Sequence, residues 1–332
     1  MIQWPARIEL AQLPTPVTKL EKFSQRFADT TIWVKHDELT GTEVSGNKIR
    51  KLEFCIAEAK AQGCDTLITC GGIQSNHCRA TAVLGARLGM KVHLILRGEE
   101  PAVPEGNLLM DYLSGAEISY LPQSKWRGHE ELAQELQASY EEEGRKAFFI
   151  PVGASDEVGI WGYIKASEEL NQDFVNLGIV PEYIVTATGS GGTQAGLIVG
   201  TALLGMKSQV LAFNVSDDAA YFEKKIQEDV TLWKQRYNQK FDQASMKIST
   251  VEGYLGPGYG VAGPEIFDTI AELARTEGVF LDPVYTGKAF HGMVAELEKG
   301  DAGALAGAKN VVFIHTGGLF GVFPQQQNFH FT

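Results

Sequence analysis

The sequence predicts an α/β protein whose sheets are parallel and covered by helices on both faces, and three observations carry that prediction. Short apolar runs alternate with longer amphipathic stretches along nearly the whole 332-residue chain. Several runs end in glycine-rich turns that lead into the next amphipathic stretch, which is how a parallel sheet connects strand to helix. The alternation forms two series meeting near residues 151–162, so two lobes with a cleft between them are expected.

In order, the chain enters through the turn-like Leu13-Pro14-Thr15-Pro16, and residues 31–35 (Thr-Ile-Trp-Val-Lys) read as a short strand. That strand runs into His36-Asp37-Glu38 and then Glu43-Val44-Ser45-Gly46-Asn47-Lys48-Ile49-Arg50-Lys51, with a helix over residues 50–62. A strand over 65–70 precedes a helix over 75–89, where Ala80, Val83, Leu84 and Leu88 share a face. Strand 91–97, helix 106–114, strand 117–121, a charged helix over 128–143, strand 147–151 and helix 159–173 complete the first series. The second series has strands at 183–187, 209–215 and 310–315, and helices at 193–204, 263–276 and 286–299. Residues 217–243 are so highly charged that they read as a long helical region with a solvated face. There is no repeat of solenoid period and no low-complexity segment.

Bulk properties narrow the function. A chain that is 44% hydrophobic has ample material for a large core. A net charge of -12 argues against nucleic-acid or anionic-membrane partners. The start, Met1-Ile2-Gln3-Trp4-Pro5-Ala6-Arg7, lacks a signal-peptide pattern, and no apolar run reaches membrane-spanning length. Cys55, Cys64, Cys70 and Cys78 form no CxxC pair, so reduced thiols, no zinc or other metal, and a cytoplasmic location are expected.

Chemistry is sought in the strand-to-helix loops. Lys48 follows a Ser-Gly-Asn turn, with Lys51 one helical turn on. Two neighbouring ammonium groups disfavour each other's charge, which suits a lysine that must be partly neutral to attack a carbonyl beside one that holds a phosphate. A lone KxxK is more often a solvated helix start, so the rest of the chain must decide. Cys70-Gly71-Gly72-Ile73-Gln74-Ser75-Asn76-His77 places two glycines and three polar side chains at a helix entrance, more than a cap requires. Thr188-Gly189-Ser190-Gly191-Gly192-Thr193-Gln194 lines up backbone N–H groups at a helix start, an anion cradle. It lacks the Lys-Ser/Thr of a Walker A loop, and Gln194 stands where a dinucleotide fingerprint has its third glycine, so a single phosphate monoester fits better. His315-Thr316-Gly317-Gly318 closes a late strand, and Tyr259 and Tyr285 lie in glycine- and proline-punctuated loops, where tyrosines serve as acid/base groups or substrate clamps. A reactive lysine, a phosphate cradle and a strand-end hydroxyl together suit pyridoxal 5′-phosphate.

With these motifs in this order, the chain resembles the fold type II, tryptophan-synthase-β-like pyridoxal-phosphate enzymes. Within them it resembles the branch holding 1-aminocyclopropane-1-carboxylate deaminase and D-cysteine desulfhydrase. The resemblance rests on S-G-N-K-I-R-K-L-E-F, G-G-I-Q-S-N-H, G-S-G-G-T-Q-A-G-L, D-P-V-Y-T-G-K-A and H-T-G-G. It implies that Lys48 bonds the cofactor and serves as the base at Cα. Lys51, Gly189, Ser190, Gly191, Gly192 and Thr193 would hold the phosphate, and Asn76 would lie against the cofactor ring. Ser75, Asn76 and His77 would hold the substrate, with Tyr259 and Tyr285 flanking it and Ser75 assisting proton transfer. Residues 1–48 plus 162–332 would form a large lobe and 49–161 a small one, in a homodimer. Thr286 and Thr316 follow the desulfhydrase pattern, where the cyclopropane deaminases carry Glu and Leu, so Thr316 is expected to partner the ring nitrogen with Thr286 close by. The implied activity is α,β-elimination of D-cysteine to pyruvate, hydrogen sulfide and ammonia. Gly153-Ala154-Ser155-Asp156-Glu157 departs from the Gly-Gly-Ser-Asn of many desulfhydrases and leaves L-cysteate open as a substrate. Asp156 and Glu157, if they faced the cleft, would oppose its sulfonate. The remaining alternatives are the cyclopropane deaminase and a non-catalytic cofactor-binding sensor; a nicotinamide dehydrogenase fails on the glycine spacing.

Overall fold

The apolar runs pair into two sheets. The computed structural model describes residues 2–330, and its strands are β1 (Val17–Lys19), β2 (Thr31–Lys35), β3 (Thr66–Gly72), β4 (Lys91–Arg97), β5 (Glu117–Leu121), β6 (Ala147–Ile150), β7 (Tyr183–Thr188), β8 (Gln209–Asn214), β9 (Thr250–Val251) and β10 (Asn310–Ile314). One sheet has the order β1-β2-β10-β7-β8-β9 and the other β5-β4-β3-β6. Every pairing is parallel except that of β1 with β2. The central strands are buried on both faces: Val311, Val312, Phe313 and Ile314 of β10, and Leu67 and Ile68 of β3, are closed to solvent.

The helices are α1 (Lys48–Ala61), α2 (Asn76–Leu88), α3 (Gly106–Leu113), α4 (His129–Glu142), α5 (Trp161–Leu177), α6 (Gly192–Leu203), α7 (Ala219–Arg236), α8 (Pro264–Glu277) and α9 (Thr286–Glu298). Small residues let the helices behind the cleft approach closely. A Cβ on Gly162 of α5 would lie 2.6 Å from the Arg50 carbonyl of α1. Cβ atoms on Gly196 and Gly200 of α6 would strike Tyr163 and Ser167 of α5, so those helices are fixed against each other by contact.

A buried ionic network ties the same region together. Lys35 of β2 binds Glu169 and Asp173 of α5, and Arg50 of α1 binds Asp37 and Glu169. Thr15 donates to Asp37, and so does the Tyr163 hydroxyl. Charges so far from water persist because each has a partner.

Three expectations change. Residues 217–243 are not one solvated helix: α7 stops at Arg236 and buries Phe222, Ile226, Val230 and Trp233. Its charges hid an apolar face, and Trp233 meets Trp161 edge-on at 5.3 Å. The helix expected at 159–173 runs from Trp161 to Leu177. Strands β1 and β9, with three and two residues, escaped detection because so short a stretch carries no periodic signal.

Candidate active site

The parallel strands of both sheets end on one cleft of about 640 Å³. Lys48 opens α1 on the floor, half-buried, and burial brings its amine down to about 8. The loop before it is stitched to a strand end from the far end of the chain. The Asn47 N–H donates to the Thr316 carbonyl at 3.2 Å, and the Asn47 side-chain amide donates to the Thr193 hydroxyl at 3.0 Å. Gly46 has φ +115°, and a Cβ there would stand 2.7 Å from the Thr316 oxygen, so conformation and space both require glycine.

Lys51 is fully buried. Its Nζ donates to the Gly153 carbonyl at 3.2 Å and the Ser155 hydroxyl at 3.4 Å. Burial, and then the Lys48 charge, hold it well below the ordinary lysine range. It sits beneath the glycine loop: a Cβ on Gly192 would lie 2.9 Å from Lys51 Nζ. Around that loop, Gly191 has φ +84°, the Gly192 N–H donates to Ser155 Oγ at 3.1 Å, and the Ser155 and Ser190 hydroxyls meet at 2.8 Å. Gly189, Ser190, Gly191 and Thr193 line the cleft, so the buried Lys51 amine and a helix amino end converge on one anion-sized place, where a bound anion would favour the amine's charged form.

Across the cleft, Ser75 caps α2 by accepting from the Cys78 N–H at 3.2 Å. The Asn76 side-chain oxygen accepts from Asn107 at 3.1 Å. His77 is held neutral by burial and by Lys48 and Lys51. The Thr69 hydroxyl donates to the Ile150 carbonyl, so it accepts from His77, which puts the imidazole proton on Nε2 and leaves Nδ1 bare. That Nδ1 has no partner among the described residues.

Tyr259 and Tyr285 join hydroxyl to hydroxyl at 2.5 Å, with rings 5.9 Å apart and nearly perpendicular. Tyr285 packs against Gly189 and Tyr259 against Gly72, one on each side of the cleft. Burial raises both phenols, so they stay protonated at neutral pH.

Thr316 lines the cleft; Thr286 does not. The Thr286 hydroxyl donates to Asp282 at 2.7 Å and accepts from the Asp282 N–H at 2.9 Å, which braces the start of α9. Asp282 also accepts from the N–H groups of Val284, Tyr285 and Thr286, which holds the tyrosine in place. Asp156 caps the Val158 and Gly159 N–H groups and Glu157 pairs with Arg236; neither faces the cleft, so the expected charge opposition to a sulfonate has no basis. Sequence reasoning missed Thr69, Asp282 and Ser155, which act only through neighbours brought close by folding. It also missed Lys225, a cleft residue that pairs with Asp229 and donates to the Ser155 carbonyl.

The residues fit pyridoxal phosphate: an accessible amine of lowered basicity for its aldehyde, and a buried lysine and glycine loop for its phosphate. Comparison with known proteins points the same way. The family model described as pyridoxal-phosphate dependent enzyme matches residues 8–317. A bifunctional D-cysteine desulfhydrase/1-aminocyclopropane-1-carboxylate deaminase, mitochondrial, from Arabidopsis thaliana is 41% identical over 95% of this chain and 79% of its own. A putative 1-aminocyclopropane-1-carboxylate deaminase from Thermotoga maritima is 40% identical over 97% of this chain and 99% of its own. Among solved structures, an ACC deaminase homologue superposes with a TM-score of 0.88 at 31% identity, covering 97% of this chain and 95% of that one.

Proposed function

This chain belongs to the pyridoxal-phosphate dependent enzyme family, and from that premise we propose that it is a carbon–sulfur lyase acting on D-cysteine, with pyruvate, hydrogen sulfide and ammonia as products. When bound, the cofactor supplies an electrophilic aldehyde and an electron-accepting ring. Lys48 would hold that aldehyde and, with its lowered basicity, take the proton from the substrate Cα so that thiolate can leave Cβ. Lys51 and the Gly189–Thr193 loop hold the phosphate. Ser75 and Asn76, at the amino end of α2, orient the substrate carboxylate. The Tyr259–Tyr285 hydroxyl pair flanks the substrate and shields it from water.

The observation that carries the sulfur reading is the contrast between Thr316 and Asp282. Thr316 presents a hydroxyl to the cleft, while the carboxylate of Asp282 is engaged by three N–H groups and Thr286. Asp282 is therefore fully engaged, and neither it nor Glu38, whose Oε2 lies 3.8 Å from His315 Nδ1, is among the residues that line the cleft with Thr316. A hydroxyl there supports only a weak electron sink, enough to expel a good leaving group such as thiolate from Cβ. A second reading, opening of 1-aminocyclopropane-1-carboxylate, is favoured by the name of the Arabidopsis relative, which joins both activities. The same premise leads us to propose a homodimer, a cytoplasmic location, and the division into residues 1–48 plus 162–332 and residues 49–161.

Sulfide release from D-cysteine by the cofactor-loaded protein tests the reading, with L-cysteine, L-cysteate and the cyclopropane amino acid in parallel. D-selective sulfide release is expected. Keto acid from the cyclopropane compound without sulfide from D-cysteine overturns the reading in favour of the second. Bound cofactor with no turnover of any of the four leaves a binding protein.

A further inference from the structure

Arg97 is the last residue of β4 and stands in parallel register with Gly72, where the loop to Ser75 and Asn76 begins. It is half-buried and lines the cleft. Its guanidinium carbon lies over two rings, 4.8 Å from the centre of Tyr259 and 5.3 Å from that of Trp126. Ring faces attract the charge but accept none of the in-plane N–H bonds, so stacking orients an arginine while leaving its donors available. Among the described residues, no carboxylate, carbonyl or hydroxyl takes those donors. Elsewhere the half-buried and buried arginines are matched: Arg7 by Glu9 and Glu53, Arg50 by Asp37 and Glu169, Arg79 by two carbonyls, Arg145 by Thr66 and Asp65.

Arg127, on the same wall, likewise lines the cleft without an ion pair. Two carboxylates, Glu130 and Asp217, also line it, and neither pairs with Arg97 or Arg127. A chain of net charge -12 has carboxylates in excess, yet this guanidinium is held by aromatic rings in a ligand cleft.

The geometry points to Arg97 as a subsite for a second oxyanion on the amino acid that the cleft binds. The α-carboxylate lies at the amino end of α2, and a carboxylate or sulfonate at the far end of the same short molecule meets the Arg97 fork. This rests on the reading of the cleft as an amino-acid site and extends its ligand class to α-amino acids with a distal oxyanion, of which aspartate and cysteate are the smallest. The planar fork matches such a group through two parallel hydrogen bonds.

The test is titration of the holoenzyme with D-aspartate, D-cysteate and D-alanine, and with their L forms, read from the change in the cofactor's visible absorption. Wild type is expected to bind aspartate or cysteate about tenfold or more tightly than alanine, and Arg97→Gln to bring them to the level of alanine. Arg97→Lys keeps the charge without the fork and recovers part of the preference. Equal affinities in wild type overturn the proposal, as does a preference that survives Arg97→Gln. An equal fall for alanine and the oxyanion ligands in both variants overturns it too, because the residue then only supports Tyr259. Sulfide release by the same wild-type preparation separates the two readings: no sulfide from D-cysteine with the oxyanion preference intact sinks the elimination and leaves the subsite standing.

Discussion

At Lys48, function depends on a proton that burial makes easy to lose. An ordinary lysine is almost wholly charged at neutral pH, whereas this amine titrates near 8. Capture of the cofactor by the apo-protein should therefore rise as pH climbs through about 8, well below the ordinary 10.5, in a spectroscopic pH titration. Lys48→Ala should lose both the lysine-bound absorption and turnover; full sulfide production by that variant would refute the assignment. Gly46 offers a second test. Its φ of +115° and the 2.7 Å approach to the Thr316 oxygen mean that Gly46→Ala must move the loop that carries the lysine. A loss of about 1–3 kcal/mol in denaturant unfolding is expected, with weaker cofactor binding alongside. The residues that carry chemistry were legible because lysines, glycines and hydroxyls at helix entrances are unusual in themselves. Thr69, which fixes the His77 tautomer, and Asp282, which claims the Thr286 hydroxyl, were not. Their effect exists only through a partner that the fold supplies.

Among elements, α5 bears the most electrostatic responsibility. Burial works against the Glu169 carboxylate, but Arg50 and then Lys35 outweigh it and hold the group down to about 2. The unfolded chain takes up that proton near 4.5, so the stabilisation is present above that pH and is lost as pH falls towards 2. Glu169→Gln should cost on the order of 3 kcal/mol at neutral pH and flatten the acid limb of the stability curve. Urea denaturation at several pH values measures both. Helices and strands with a clean period stood out in the sequence, and β2, β4 and β5 have the expected ends. The helix α7 did not, because its buried Phe222, Ile226, Val230 and Trp233 are scattered among lysines and glutamates that dominate the composition.

For the whole molecule, the alternation predicted parallel sheets but not their strand order, since pairing partners lie far apart in the chain. The proposed homodimer predicts a particle of twice the chain mass. Sedimentation velocity at micromolar concentration checks this, and a monomer that retains full turnover would remove the dimer from the functional account. Strand order also has a bearing on synthesis. Strand β2 lies between β1 and β10, so the sheet that carries the lysine loop stays open until the C-terminal strand has left the ribosome. The Thr316 carbonyl that anchors Asn47 arrives later still. A nascent chain halted before residue 310 should therefore fail to capture the cofactor. Until then the reactive lysine has neither its anchor nor its cofactor, and its β2 edge must be kept from pairing with other chains.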